Sequence, residues 1–392
     1  MNQTPARGPD LTMFSRLYLH IPWCLSKCGY CAFNSRPLEA HNLEQTCDLL
    51  LHEMELAAKA YPLNQPLRSL YFGGGTPSLL HHDQISRLIS RSQELFRHAD
   101  PIEITLEANP GTVSHESLIG YRLAGVTRLS LGTQSFNDRL LQTLGRRHTA
   151  AETRSAFTLA QQAGFNSIGL DLICGLPGQT MTDWQQDLAA ALALQPDHLS
   201  VYGLTIEEGT PFAGRYSAES DTLPDHDLSA DMLEEADSRL SAAGFEHYEI
   251  ANFARPGCRS QHNCGYWQRD GYLGIGPGAH SFLRQGWGVR WGNQSEYDSW
   301  AAAIVINRLA ATEHQVLTRG DALAEYIFLG LRMADGISLD DFAEQFGERL
   351  EHRFAEEITQ LNQAGLLTCS PQRLALNKRG MLFSNQVFVM FV

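Results

Sequence analysis

The sequence predicts an α/β protein, an incomplete (β/α)6 barrel of the TIM type followed by a smaller, mostly helical C-terminal domain. From residue 17 onward, six short β-rich segments alternate with six amphipathic helical segments, which is typical of a parallel sheet with right-handed crossovers. A glycine run and three polar residues follow or close four different strands, which favours a barrel-type site over the single crevice of a doubly wound sheet. After residue 317 helical patterns return and a short hairpin pattern follows, which indicates a winged-helix-like second domain.

The barrel elements follow from the apolar periodicity of the chain. The predicted strands cover residues 17–21, 69–72, 102–107, 128–131, 167–173 and 198–204. The predicted helices between and after them cover residues 43–60, 84–96, 116–124, 151–163, 181–194 and 228–243. Several helices are followed by glycines that suit a C-cap, namely Gly125, Gly164 and Gly244.

Changes in composition divide the chain into four parts. Residues 1–16 are polar and lack an apolar h-region, so we expect a flexible tail and no secretory signal. Residues 17–245 form the barrel. Residues 246–316, rich in Gly, Trp, Tyr and Asn, are expected to form an irregular extension beside the sheet. Residues 317–392 form the C-terminal domain, in which the apolar run 387–392 is expected to be a buried last strand.

Charge and cysteine usage exclude several classes of protein. The formal net charge is −14 and there is no long basic run, so nucleic acid is not expected as a partner. The eight cysteines show no pairing rhythm, which argues against a disulfide framework and for a reducing compartment. No stretch approaches the length of a membrane span. We therefore expect a cytoplasmic protein that touches a membrane, if at all, only peripherally.

A cysteine triad follows the first predicted strand. Cys24, Cys28 and Cys31 have the spacing Cys-x3-Cys-x2-Cys. Three thiolates can hold three irons of a [4Fe–4S] cluster and leave the fourth iron open to a ligand, whereas a ferredoxin normally supplies a fourth thiolate. A zinc site or buried free cysteines are the alternatives, and zinc would need a fourth ligand, for which His20 is the only near candidate.

Polar residues and glycines at the strand ends are the further candidate site residues. The triple glycine that includes Gly74 and Gly75 lets a ligand approach the main chain closely. Glu107 offers a carboxylate to a ribose or an ammonium group, although taken alone it favours a solvated strand end. Asp171 interrupts an apolar strand, where a carboxylate needs a partner. Arg146 follows a short helix and suits either a ligand carboxylate or the helix dipole.

These segments together resemble the radical S-adenosylmethionine (SAM) superfamily and, within it, the family of oxygen-independent coproporphyrinogen III dehydrogenase and its relatives. The resemblance covers residues 17–281. Its motifs are Tyr18-x-His20-x-Pro22-x-Cys24, the glycine run, Glu107-Ala-Asn-Pro, Gly-x-Gln134-Ser-Phe, Leu144-Gly-Arg146-x-His148, Asp171-Leu-Ile-x-Gly-Leu-Pro and Gly274-Ile-Gly276-Pro-Gly278-Ala-His280-Ser281.

The resemblance implies a [4Fe–4S] cluster on the cysteine triad and SAM above it. By the same comparison of motifs, Tyr18, Gly74 and Glu107 would contact that SAM. The positions that match the space of a second SAM in the dehydrogenase are Gly75, Thr76, Gln134, Arg146 and Asp171.

Two departures from the dehydrogenase and one further motif favour another branch of the family. Phe33 stands where the dehydrogenase carries a further cysteine, and only a short tail precedes the first strand. The run His262-Asn-Cys264-Gly-Tyr266-Trp267 matches the His-Asn-x-x-Tyr-Trp signature of HemW-type haem chaperones. Imidazole is a common axial ligand of haem iron, so His262 is the predicted haem contact, with Cys264 as an alternative.

The resemblance leaves three functions open. The first is a chaperone that binds haem and delivers it to apo-haemoproteins, such as respiratory complexes at the membrane, with the cluster and SAM as a regulatory or assisting site. The second is radical decarboxylation of coproporphyrinogen III, and the third is another porphyrin-directed radical enzyme, such as one that opens haem. The chaperone is favoured, which leaves it undecided whether the protein is an enzyme.

Overall fold

The computed structural model describes residues 14–38, 42–61, 63, 65–216, 220 and 222–391. The predicted flexible tail, residues 1–16, therefore lies outside the described residues except for its last three. Of these, Phe14 is fully buried and Arg16 begins the first strand, so the folded part starts before residue 17.

The described strands run in chain order as follows: β1 (Arg16–Ile21), β2 (Trp23–Cys24), β3 (Arg36–Pro37), β4 (Leu67–Gly74), β5 (His98–Ala108), β6 (Arg128–Gln134), β7 (Ser167–Cys174), β8 (His198–Gly203), β9 (Glu246–Glu249), β10 (Asn252–Ala254), β11 (Tyr272–Ile275), β12 (His280–Leu283), β13 (Val289–Gly292), β14 (Gln315–Val316), β15 (Ile337–Ser338), β16 (Leu367–Cys369) and β17 (Arg373–Leu376).

The described α-helices are α1 (Asn42–Ala60), α2 (His82–Phe96), α3 (His115–Ala124), α4 (Asp138–Leu144), α5 (Ala150–Ala163), α6 (Met181–Ala193), α7 (His226–Ala242), α8 (Gln261–Trp267), α9 (Tyr297–Val305), α10 (Arg319–Gly330), α11 (Leu339–Phe346), α12 (Leu350–Arg353), α13 (Ala355–Gln363), α14 (Lys378–Leu382) and α15 (Ser384–Phe388). In the part of the chain that the structure describes, no helix is both long enough and apolar enough to cross a membrane.

One large sheet organises the molecule. Its strand order is β14-β13-β12-β11-β1-β4-β5-β6-β7-β8-β10-β9. The seven neighbouring strands from β11 to β8 are parallel, and the flanking strands are antiparallel. Edge strands β14 and β9 are not paired with each other among the described residues, so the sheet stays open. Because the barrel strands are parallel, the carboxyl ends of all six lie on one side of the sheet, where a site is expected.

The six predicted strands and six predicted helices of the barrel are all present, with ends that differ by only a few residues. The strands are buried on both faces, as in β1, because helices cover the outside of a parallel sheet. The predicted helix ends also hold: Gly125, Gly164 and Gly244 have positive φ values of 109°, 77° and 84°.

The extension, residues 246–316, is not irregular as expected. It contributes β9 to β14, which lengthen the sheet at both edges. These strands are at most four residues long, so their alternation of apolar and polar residues is too brief to be recognised among the glycines. Gly274 shows why glycine is needed here, since a Cβ on it would lie 2.2 Å from the carbonyl oxygen of His280 in the next strand.

The C-terminal domain packs helices α10 to α13 against a small sheet of order β15-β17-β16, with its own hydrophobic core. The predicted last strand at 387–392 is wrong, because residues up to Phe388 are helical and Val389–Phe391 form a 3-10 turn. Val387 and Phe391, four residues apart, are buried while Val389 is 71% exposed, which is the period of a helix.

A buried charge cluster joins the two domains. Glu325 of α10 accepts from Arg269 at 3.0 Å and from Arg290 of β13 at 2.7 Å. Arg269 and Glu325 are both buried. Buried charges are tolerated only when they are paired in this way, so the cluster fixes the helical domain against the β11–β13 edge of the sheet.

Candidate functional site

The cysteine loop lies at the carboxyl end of β1. Cys24 ends β2, and Cys28 and Cys31 follow in the turn before β3. Main-chain hydrogen bonds hold the loop: the Leu38 amide donates to the Cys24 carbonyl at 2.8 Å, and the Gly29 amide donates to the carbonyl of Leu144 at 3.3 Å. All three cysteines are free and partly exposed, so their sulfur atoms can reach a bound group.

The spread of the three sulfur atoms argues against a single metal ion. Among the described residues they do not all lie within 4.8 Å of one another, whereas sulfur ligands of a tetrahedral zinc ion would be about 3.8 Å apart. His20 is not a fourth ligand either, because its Nδ1 lies 3.0 Å from the Tyr18 hydroxyl and its Nε2 lies 2.7 Å from the Asn34 carbonyl. The loop thus offers three spread thiols, the number that a [4Fe–4S] cluster with one open iron requires.

Two side chains donate to the cysteine sulfurs. Thr76 Oγ1 lies 3.4 Å from Cys24 Sγ, and Arg146 Nη1 lies 3.7 Å from Cys28 Sγ. Burial raises the pKa of Cys31, which has no such partner among the described residues. Donors of this kind stabilise negative charge on sulfur and tune a bound cluster.

A cavity of about 370 Å³ opens beside the triad. It brings together the cysteines and every residue predicted for SAM except Tyr18. Its walls include Cys24, Cys28, Cys31, Gly74, Gly75, Thr76, Glu107, Gln134, Arg146 and Asp171. The structure thus gathers residues from β4, β5, β6, β7 and the cysteine loop at one place.

The glycine run leaves no room for side chains. A Cβ on Gly74, whose φ is +110°, would lie 2.7 Å from the His20 ring, and one on Gly75 would lie 2.6 Å from the Trp23 carbonyl oxygen. The Gly75 amide donates to the Ile21 carbonyl at 2.7 Å. The run therefore lies flat against the segment that leads to Cys24.

Glu107 is a half-buried carboxylate in the cavity wall. It accepts from the Tyr71 hydroxyl at 2.7 Å and from the Gly74 amide at 3.2 Å. Burial, helped by repulsion from Asp171, raises the pKa of Glu107 to about 7. A cation such as an ammonium group, placed beside it, would favour the ionised form.

Asp171, Gln134 and Arg146 line the other side of the cavity. Burial raises the pKa of Asp171, and the Ser130 hydroxyl donates to it at 3.1 Å. Gln134 has a φ of +66° at a bulge between β6 and β7, and such strain clusters at functional sites. Arg146 Nη2 donates to the Gly132 carbonyl at 2.7 Å and also to Asn109.

Sequence reasoning missed two residues of this wall, Asn109 and Ser130, and one residue behind it, Tyr71. Asn109 connects Arg146 to Thr76, to which its amide donates at 3.1 Å. The Ser130 hydroxyl donates to Asp171, and the Tyr71 hydroxyl donates to Glu107. Asn109 was visible in the Glu-Ala-Asn-Pro motif, but nothing in the sequence marks Ser130 or Tyr71, which lie in the middle of apolar strands.

A second cavity, of about 600 Å³, adjoins the first and shares Ala32, Phe33, Gly74 and Glu107 with it. Tyr18 lies in this cavity, where its ring packs against the glycine run. The remaining walls come from α8, from strands β11 to β13 and from α10. They include Tyr266, Trp267, Arg269, Tyr272, His280, Phe282, Arg290 and Leu329.

His262, the predicted haem contact, does not line either cavity. It is 1% exposed, with Nδ1 2.8 Å from Ser69 Oγ and Nε2 2.8 Å from the Tyr266 hydroxyl. Burial lowers the pKa of His262 well below its usual value, which keeps the ring neutral. Both nitrogens are engaged, so the ring as placed offers none to an iron. Cys264 does not line them either, and burial raises its pKa to about 11.

The chain is similar to known proteins in both sequence and structure. The profile of the Radical SAM superfamily matches residues 18–191, and that of the HemN C-terminal domain matches residues 317–383. The chain is 34% identical to the heme chaperone HemW of Bacillus subtilis (strain 168) over 96% of its own length and 98% of that protein. It is 44% identical to HemW of Haemophilus influenzae (strain ATCC 51907 / DSM 11121 / KW20 / Rd) over 68% of its own length and 70% of that protein.

Among solved structures, coproporphyrinogen III oxidase (HemN) from Escherichia coli, a radical SAM enzyme, is similar with a TM-score of 0.84. The two are 26% identical, and the match covers 97% of this chain and 90% of that one. This likeness confirms the predicted fold class, an incomplete radical SAM barrel with a smaller C-terminal domain.

Proposed function

The chain belongs to the HemW family of radical SAM proteins, and on this premise we propose that it is a haem chaperone, which binds haem and hands it to apo-haemoproteins. The observation that carries the proposal is the likeness to proteins named heme chaperone HemW, which extends over nearly the whole of both chains. Sequence identity to the oxidase HemN is lower.

Membership of the superfamily implies a [4Fe–4S] cluster and SAM, and the residues present fit both. Cys24, Cys28 and Cys31 would hold the cluster, because they are three spread thiols and no fourth ligand groups with them in the described part of the chain. When bound, the cluster offers an open iron to the amino and carboxylate groups of SAM and an electron to its sulfonium.

Residues of this chain would bind and orient SAM. Glu107 would accept hydrogen bonds from its amino or ribose groups, with Tyr18 and Gly74 beside it. The other predicted contacts, Gly75, Thr76, Gln134, Arg146 and Asp171, line the rest of the smaller cavity. The carboxylates of Glu107 and Asp171 and the guanidinium of Arg146 suit a zwitterionic ligand with a cationic centre.

Phe33 favours the chaperone over the dehydrogenase. It occupies the position of the dehydrogenase's further cysteine and projects an apolar, 65% exposed ring at the border of the two cavities. An aromatic ring offers a stacking surface to a flat macrocycle. The recipients we propose are apo-haemoproteins, including respiratory complexes at the membrane, which the protein would meet from the cytoplasmic side.

The test uses the anaerobically reconstituted full chain. We expect saturable, one-to-one haem binding by difference absorption, and transfer of that haem to an apo-haemoprotein whose holo spectrum is distinct. Incubation with SAM, a reductant and coproporphyrinogen III should give no protoporphyrinogen by chromatography.

A triple Cys24→Ser, Cys28→Ser, Cys31→Ser variant is the matched control, since it removes the cluster but leaves the larger cavity intact. Failure of the wild type to bind or transfer haem would overturn the chaperone function. Turnover of coproporphyrinogen III would establish the dehydrogenase in its place.

A further inference from the structure

The larger cavity contains a histidine that the haem-chaperone motif does not include. His280 begins β12 and belongs to the Gly274-Ile-Gly276-Pro-Gly278-Ala-His280 motif, to which the proposed function assigns no role. We propose that haem binds in the cavity of about 600 Å³ with His280, not His262, as an axial ligand of its iron. This inference rests on the proposed function and names the haem site within it.

His280 differs from the other two histidines near the cavity in what its ring contacts. Both ring nitrogens of His20 and of His262 lie within hydrogen-bond distance of partners. Within the described residues, neither ring nitrogen of His280 has a hydrogen-bond partner, and the residue is exposed. A free imidazole nitrogen is what an axial ligand must present.

Glycine opposite His280 makes room for its ring. His280 pairs with Gly292 of β13, and a Cβ on Gly292 would lie 3.3 Å from Cε1 and 3.4 Å from Nδ1 of the imidazole. The ring therefore lies over the bare main chain of the neighbouring strand. A side chain at position 292 would make a tight contact with the ring.

The turn before His280 is fixed by buried hydrogen bonds, so the ligand is held in place before haem arrives. Glu53, fully buried, accepts from the Gly276 amide at 2.7 Å, from Asn293 Nδ2 at 2.7 Å and from Trp300 Nε1 at 2.8 Å. A rigid support of this kind reduces the entropy lost on binding.

The same turn is tied to the cysteine loop. Asn34 Nδ2 donates to the Pro277 carbonyl at 3.0 Å, and the Asn34 carbonyl lies 2.7 Å from His20 Nε2. His280 and Phe33 therefore lie on two connected segments that face one cavity.

The walls of the cavity suit a porphyrin. Tyr266, Trp267, Tyr272 and Phe282 give it aromatic sides, and such rings stack on a macrocycle. Arg290, whose side chain is 37% exposed, pairs with one carboxylate among the described residues, that of Glu325, and offers its remaining donors to a propionate. A flat, apolar ligand with carboxylate arms matches both features.

The test compares histidine variants of the reconstituted full chain by haem titration, with the cluster absorption subtracted. His280→Ala should weaken haem binding about tenfold or more and alter the Soret band and the electron paramagnetic resonance signal. His262→Ala and the matched control His352→Ala, an exposed histidine of the C-terminal domain, should keep the wild-type spectrum. His280→Gly should recover that spectrum when imidazole is added.

Each outcome separates the ligand assignment from the chaperone function. Wild-type affinity and spectrum in His280→Ala would overturn the assignment while the chaperone function stands, and loss confined to His262→Ala would return the role to His262. No haem binding by the wild type would overturn both. If His280→Ala does not retain the cluster absorption after reconstitution, His280→Met replaces it, and a spectrum unchanged from that of the wild type would again refute the assignment.

Discussion

Glu107 gives the sharpest prediction, because its pKa of about 7 lies within the working pH range. A cationic ligand beside Glu107 binds its ionised form, so protonation of the carboxylate competes with SAM. With a pKa of about 7, one carboxylate in eleven is ionised at pH 6 and ten in eleven at pH 8. Apparent SAM affinity should therefore rise about tenfold between pH 6 and pH 8.

The same raised pKa means that ionised Glu107 destabilises the folded protein. Its folded pKa is raised above the ordinary 4.5, so its contribution to stability is greatest below pH 4.5 and is lost as the pH rises to about 7. The shift of about 2.5 pH units corresponds to about 3 kcal/mol at pH 8. In Glu107→Gln the amide can still accept from the Gly74 amide and donate to the Tyr71 oxygen.

Glu107→Gln should therefore bind SAM more weakly, with no pH dependence between 6 and 8, and should be more stable than the wild type at pH 8 but not at pH 5. Isothermal titration of reconstituted protein with SAM at three pH values, together with urea denaturation at pH 5 and pH 8, measures both effects. A wild-type SAM affinity that does not change with pH, or a variant that is equally pH-dependent, would refute the argument.

Three further predictions follow from packing and charge. Cys28→Ser should abolish the broad visible absorption of the reconstituted cluster, whereas Cys369→Ser, at an exposed site, should leave it unchanged; retained absorption in Cys28→Ser would contradict the ligand assignment. Gly75→Ala places a Cβ 2.6 Å from a main-chain oxygen. It should therefore lower the free energy of unfolding, measured by urea denaturation, by about 1–3 kcal/mol, and it should reduce cluster incorporation, measured by iron content. A wild-type iron content would contradict this. Glu325→Ala leaves the buried Arg269 without its ionic partner. It should lower the free energy of unfolding, measured by chemical denaturation, by about 3–5 kcal/mol. A decrease below about 1 kcal/mol, as for a surface ion pair, would show that the buried charge cluster does not join the domains.

The sequence predicts the barrel well because long, doubly buried strands and amphipathic helices carry strong periodic signals. It predicts the smaller cavity for the same reason. Once six strands run parallel, their carboxyl ends must meet, and the polar residues found there converge. Glu107 and Asp171 are each weak evidence of a site when taken alone, but the parallel strands place both side chains in the wall of one cavity.

What the sequence did not predict depends on short elements and on side-chain direction. The strands of the extension are too short for alternation to be seen, and the run 387–392 has no period that separates a strand from a helix. Ser130 and Tyr71 look like ordinary strand residues because their function lies only in facing a carboxylate on the neighbouring strand. Register, which sets those contacts, is a tertiary property.

The histidine motif illustrates the same difference between pattern and geometry. A motif shows that a set of residues acts together, but not which of them faces the ligand. His262 packs against Tyr71 with ring centroids 4.9 Å apart and lies within hydrogen-bond distance of the Tyr266 hydroxyl. Tyr71 binds Glu107 of the smaller cavity, and Tyr266 lines the larger one. Its ring therefore lies behind both walls and supports residues of both cavities, while neither of its nitrogens faces a ligand.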